Sequence, residues 1–254
     1  MSKKIRILII IVALITAGVS GYNLITHYLE LHRGDVAYES IREIAIVEVE
    51  EKDDEPEPEK RTYNFIEIDF DALAELNTDI VGWLYIHDTP VSYPILLGRD
   101  NQYYLNTTYD RKSNVLGSIF QDYRNDVDLK DPNTIIYGHN TRNDSMFGSL
   151  KKYKEQEYAD EHLEVCVIRK EGVYVYEIFT VYETAATSDT YTIRFASSES
   201  FDEYIKNMAA QTLVNAADPP EGENIVTLST CTGGQKIMRL VLQAKYIDFV
   251  STTV

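Results

Sequence analysis

Ile225-Val226-Thr227-Leu228-Ser229-Thr230-Cys231-Thr232-Gly233-Gly234-Gln235-Lys236-Ile237-Met238-Arg239-Leu240-Val241-Leu242-Gln243-Ala244-Lys245-Tyr246 is the stretch that decides the fold. It holds two strand-like apolar runs, rich in β-branched and other apolar residues, joined by a five-residue connection from Thr232 to Lys236. A connection that short predicts that the two strands pair. Strand alternation puts Arg239 on a face with Val241, Gln243 and Lys245, opposite Met238, Leu240 and Leu242. Cys231 closes the first run beside the Gly233-Gly234 pair, which predicts a sulfur presented at a sheet rim, where loops and substrates meet.

Working outward, the same kind of strand recurs along the chain. Val81–Ile86 and Val91–Leu97 flank a turn at His87–Pro90. Ser118–Phe120 and Thr134–Tyr137 follow, the second opened by Asp131-Pro132-Asn133. Val165–Arg169 and Val173–Tyr182 form a hairpin about Glu171-Gly172. Short helices are predicted after Asp69, over Met146–Tyr153, and after Ser200, whose spacing to Glu203 is that of a capping box and which precedes the one-faced set Phe201, Tyr204, Ile205 and Met208. Together these read as a mainly antiparallel β-domain, a closed barrel with peripheral helices.

Thr134–Tyr137 ends in Gly138-His139-Asn140, where Gly138 lets the backbone turn and the imidazole emerges at a strand end. If this strand and the one ending at Cys231 run the same way, thiol and imidazole meet at one rim. A thiol needs such a neighbour, because the thiolate is the nucleophile and the free group has a pKa of about 8.5. An Arg nearby can stabilise a thiolate or donate to an oxyanion. Taken singly, a Cys at a strand end, one His among five and an Arg in a strand each have ordinary structural readings. Their joint appearance is the signal, since none of His27, His32, His87 or His162 follows a Gly at a strand end. No Cys/His cluster has metal-ligand spacing, and no cofactor is implied. The second cysteine, Cys166, lies within a strand-like run and reads as a buried small hydrophobe.

The chain has 254 residues, room for one sizeable domain plus a tail, and a net charge of -17, which disfavours nucleic acid as a partner. Lys3, Lys4 and Arg6 precede 23 residues, Ile7 to Leu29, with no charged side chain if His27 is counted neutral. As a helix these span roughly 34 Å, enough for a bilayer, and the basic flank places the N-terminus inside. Residues 30–47 can form an amphipathic helix with a break at Gly34, and Glu48 to Lys60 carries eight acidic against two basic residues. The organisation read from this is an anchor over 1–29, a helical and acidic spacer over 30–62, and a folded domain over 63–254. A chain starting near Tyr63 is therefore expected to fold and act by itself.

Thr227-Leu228-Ser229-Thr230-Cys231, Tyr137-Gly138-His139-Asn140 and Arg239 eight residues after the Cys resemble the sortase family over roughly residues 63 to 248. Asp79–Leu84, Tyr93-Pro94-Ile95, Asp100-Asn101 with Tyr104-Leu105, Gly117–Phe120 and Met146-Phe147 are similar to its class B, as is the helix predicted at Phe201–Gln211. Thr232 departs from some class B relatives, which have an acidic residue there. The resemblance implies an eight-stranded sortase-type barrel outside a Gram-positive cell membrane, held by a single N-terminal span. It implies a cysteine transpeptidase with Cys231 as nucleophile, His139 as acid/base and Arg239 holding substrate and oxyanion. Asn101, Leu105, Tyr191, Ile193 and Ser229 resemble substrate-contacting positions. The implied partners are the C-terminal sorting signal of a secreted surface protein and an amine acceptor such as a peptidoglycan cross-bridge. Polymerisation of pilins stays open as the use of the same chemistry. A papain-like cell-wall peptidase is disfavoured, because there the Cys precedes the His and opens a helix. In a non-enzymatic surface-binding domain, Cys231 and His139 would be incidental.

Overall fold

The computed structural model describes residues 2–47, 63–231 and 238–252. The acidic run Glu48–Lys60 and the connection Thr232–Lys236 lie outside the described residues. α1, Lys3–Ala45, is one continuous helix. Its first part is exposed throughout and is long and apolar enough to cross a membrane. β1 (Ile46–Val47) pairs with β2 (Glu67–Ile68), and α2 (Phe70–Leu76) starts at Asp69, whose carboxylate accepts from the Asp71 and Ala72 amides as predicted.

Among the described residues, eight further strands close into a barrel. They are β3 (Ile80–Tyr85), β4 (Ser92–Leu97), β5 (Ile119–Gln121), β6 (Asn133–His139), β7 (Glu164–Arg169), β8 (Gly172–Ala185), β9 (Ile225–Cys231) and β10 (Met238–Ser251). Their order around the barrel is β10-β8-β7-β3-β4-β5-β6-β9, with β9 pairing back onto β10. The short connection between β9 and β10 does make them antiparallel neighbours, with Val241 opposite Ser229. β4–β5 and β6–β9 are parallel; the other six pairs are antiparallel. Parallel neighbours need long crossovers. Here the 98–118 segment crosses from β4 to β5. The excursion from β6 to β9 takes in a 3₁₀ turn at Gly148–Lys154, α3 (Gln156–Glu161), the β7–β8 hairpin and α4 (Ser198–Ala209).

The barrel strands do alternate, but both faces are covered, so burial along them is nearly continuous. Leu240, Leu242 and Ala244 enter the main core with Trp83, Leu84, Ile136 and Leu228. Val241 packs instead in a second cluster with Phe179, Tyr182 and the α4 residues Phe201, Tyr204, Ile205 and Met208. α4 begins one turn earlier than predicted. Ser197 caps it, exchanging hydrogen bonds with Ser200, so Ser200 is the third helical residue rather than the cap.

The expected break at Gly34 and the free spacer after it differ from what is found over residues 30–45. Gly34, Tyr38, Ile41 and Ala45 recur at helical spacing and are buried against the barrel body. Tyr38 and Ile41 are each 2% exposed or less. Burying such side chains stabilises by about 1.5–3 kcal/mol apiece. A chain starting at Tyr63 should therefore lose at least about 3 kcal/mol of unfolding free energy relative to one retaining residues 30–62. Denaturant titration of the two chains checks this. Equal midpoints would show that the docked half of α1 adds nothing.

Candidate functional site

β6 and β9 run parallel in an unbroken register from Asn133↔Ile225 to His139↔Cys231. The two residues singled out by sequence thus occupy neighbouring positions at one barrel rim. Alternation along β9 groups position 231 with Thr227 and Ser229, on the face that meets the 186–224 segment. Gly138 does not turn the chain, since β6 runs straight through it. A Cβ there would come within 2.4 Å of Ile119 Cδ1 and 2.6 Å of Phe147 Cγ. Glycine is needed for that close approach, which seats Phe147 behind the histidine; the Phe147 amide also donates to the His139 carbonyl.

The His139 ring is half-buried, and its Nε2 lies 2.5 Å from the Leu105 carbonyl oxygen. A carbonyl only accepts, so Nε2 carries the proton and donates. Burial pushes the imidazole pKa below its ordinary 6.5; the Leu105 bond opposes that shift, and the nearby Arg239 charge reinforces it. The neutral ring is therefore favoured in the folded state. Stability drawn from it is present above pH 6.5 and is lost as pH falls from 6.5 toward the lower folded value. In Cys231→Ala protein, where no thiolate can bias the ring, the His139 ¹⁵N signals should titrate with a midpoint below 6.5. A midpoint above 6.5 would contradict this picture of its surroundings.

Arg239 is the second residue of β10, in register with Thr184 of β8. Its Nη1 lies 3.4 Å from the carbonyl of Thr230, the residue before Cys231. His139 and Arg239 both line a cavity of about 520 Å³, with Asn101, Leu105, Phe120, Arg124, Tyr137 and Tyr191. The two crossovers of the parallel pairs supply its walls: Asn101 and Leu105 come from the first, and Ser188 and Tyr191 from the second.

The five positions matched by resemblance divide in the structure. Asn101, Leu105 and Tyr191 line the cavity. Ser229 is buried beneath it, with its hydroxyl 3.0 Å from the Tyr191 phenol. Ile193 is buried, 7% exposed, and is not among the cavity-lining residues. Leu105 contributes its backbone carbonyl to His139 as well as a wall. Sequence reading missed the Asp122, Arg124 and Tyr137 group. Asp122 is fully buried and accepts from Arg124 Nε (2.9 Å) and Nη2 (2.7 Å) and from the Tyr137 hydroxyl (3.0 Å). Burial alone would raise its carboxyl pKa, but the Arg124 bonds outweigh that and hold it below the usual range. The Tyr137 ring, fixed in this way, stacks on Tyr191 at 6.1 Å. The local Asp122-Tyr123-Arg124 spacing is the one trace of this group in the sequence.

Comparison with known proteins agrees with the barrel and its rim. A sortase domain model matches residues 84–247. Sortase B of Listeria monocytogenes is 40% identical over 180 residues, covering 69% of this chain and 72% of that protein. The solved sortase B of B. anthracis superposes with a TM-score of 0.72 at 31% identity, over 87% of this chain and 99% of the other. Staphylococcus aureus sortase B, solved as a substrate complex, gives a TM-score of 0.68 at 30% identity, over 72% of this chain and 85% of that one. The same enzyme solved with a triglycine gives the same score and identity, with 72% and 86% covered. The chain belongs to the sortase family and is an enzyme of the cysteine transpeptidase type. Within that family its likeness is to class B, as Asp79–Leu84, Gly117–Phe120 and the helix before β9 had suggested.

Proposed function

We propose that this enzyme cuts the C-terminal sorting signal of secreted proteins and joins the Thr carbonyl it releases to an amine of the cell wall. The observation that carries the reading is the parallel register that sets Cys231 opposite His139, with Arg239 beside the same rim. The Cys231 thiolate adds to the Thr carbonyl, and Arg239 faces the oxyanion that forms. The amide C–N bond then breaks. The leaving amine takes a proton from His139, and a Cys231 thioester remains. An incoming amine adds to the thioester carbonyl, gives a proton to His139 and expels the thiolate, so that a new amide closes the cycle. With Nε2–H held by Leu105, the other ring nitrogen, Nδ1, is the one free to take and give that proton.

Asn101, Leu105 and Tyr191 form the walls against which the signal lies, and Ser229 holds Tyr191 from below. Lys3, Lys4 and Arg6 ahead of the apolar half of α1 support a single membrane span with the barrel outside. The S. aureus substrate and triglycine complexes support a peptide donor and a glycine-type amine acceptor. Incubating the full chain in detergent with a panel of sorting-signal peptides and either triglycine or a lysine-bearing pilin peptide tests the reading. Transfer to triglycine is expected. Transfer to the lysine amine alone would make the enzyme a pilin polymerase, and peptide hydrolysis with no transfer to either amine would contradict the reading.

A further inference from the structure

The carbonyl that orients His139 belongs to a loop held by the membrane-proximal helix. Leu105 ends a 3₁₀ turn, Tyr103–Leu105, in the β4–β5 crossover. The crossover returns over itself at Gly117, which has φ +54° and whose Cβ position lies 2.4 Å from the Leu105 oxygen. Only glycine accepts both that backbone angle and that approach. The neighbouring Ser118 amide donates to the Tyr104 carbonyl at 2.8 Å, and its hydroxyl donates to the Thr107 carbonyl at 2.8 Å.

α1 clamps this doubled loop from outside. Tyr38 is 2% exposed, and its hydroxyl donates to the Gly117 carbonyl at 2.6 Å while lying 3.1 Å from Ser118 Oγ. Burial pushes the Tyr38 phenol well above its usual pKa, so it remains a donor at any working pH. The Tyr109 hydroxyl reaches back to the Ala37 carbonyl at 3.1 Å, and Asn114 Nδ2 to the Glu30 carbonyl at 2.9 Å. Gly34 allows the approach: a Cβ there would lie 2.5 Å from Leu116 Cδ1 and 2.8 Å from Asn114 Oδ1. A continuous path of contacts therefore runs from α1 through Tyr38, Gly117 and the Leu105 carbonyl to His139 Nε2.

We propose that Tyr38 is a positioning residue for the transpeptidation, holding the Leu105 carbonyl where it fixes the orientation and tautomer of His139. The proposal rests on the reading of His139 as the acid/base. It also gives the helix that leaves the membrane a part in the chemistry beyond tethering, because the apolar and docked halves of α1 form one rigid rod.

The test uses the full chain in detergent and compares Tyr38→Phe with wild type. The substitution keeps the ring packing against Tyr93 and Tyr109 and removes only the hydroxyl. Turnover should fall about tenfold with KM within twofold, less than the roughly 10² that a 1 Å misplacement of a reacting group can cost. In the Cys231→Ala background, Tyr38→Phe should also change the His139 ring. The Nε2–H tautomer should lose its dominance, and the titration midpoint should move further below 6.5, because the Leu105 bond that raises it is loosened. A purely structural loss would lower the melting temperature and leave tautomer and midpoint alone. Gly34→Ala, which presses on Leu116, provides an independent arm with the same expected signature. Wild-type turnover and an unchanged His139 titration in both variants would overturn the proposal. The outcome is separable from the fate of the underlying reading: His139→Ala, run alongside, should have no turnover, and turnover in that variant would instead remove His139 from the chemistry.

Discussion

Cys231→Ala should abolish acyl transfer, a loss of at least about 10⁴-fold, while Cys166→Ala should stay within about twofold of wild type. The contrast follows from where the two thiols lie. Cys166 sits inside β7, opposite Tyr85 of β3 and Val175 of β8, and is 2% exposed. Burial, with a smaller push from Glu164, drives its pKa up to about 12, so almost none of it is thiolate at neutral pH. Cys231 ends β9 in register with His139, at the rim where Arg239 also lies. Rates are to be measured with sorting peptide and triglycine at saturation. Equal losses from both substitutions would give the cysteines a structural role instead.

Arg239→Lys and Arg239→Ala should each lower turnover by at least about 10²-fold, with the barrel intact. Arg239 stands at the start of β10, its guanidinium near the Thr230 carbonyl and at the edge of the cavity that His139 lines. From there a planar fork can donate to two acceptors at once, a substrate carbonyl and the developing oxyanion. Lysine keeps the charge and loses the fork. One such donor is worth roughly 3–4 kcal/mol in the transition state, so the loss should appear in kcat rather than in KM alone. An alkylating agent directed at the nucleophile should still modify Cys231 in both variants, since His139 remains. Wild-type turnover in Arg239→Lys would leave a Cys–His pair as the whole apparatus.

The local patterns that were legible in the sequence are those that depend on neighbours in the chain. The β9–β10 pairing followed from a five-residue connection, the cap at Asp69 from residue type, and the apolar face of α4 from helical spacing. The meeting of Cys231 and His139 could be stated only as a condition. The parallel register that meets it joins segments 92 residues apart through a crossover no short motif encodes. The Leu105 carbonyl was invisible for a different reason: a backbone oxygen has no residue signature, and any side chain at 105 would supply it. Asp122 and Arg124 were missed because an acidic and a basic residue two apart usually mark a solvated turn, and here a barrel end buries them. The docked half of α1 was read as spacer because Gly34 looks like a break in a linear sequence. In the fold it is the point of closest approach to Leu116.

The most direct measurement is intact-mass spectrometry of the full chain mixed with a sorting-signal peptide and no amine. The account predicts a single adduct, equal to the peptide cut after its Thr, mapped to Cys231 and discharged as a new amide when triglycine is added. It predicts no adduct in Cys231→Ala. An adduct on another residue, or transfer to triglycine by Cys231→Ala protein, would contradict the account.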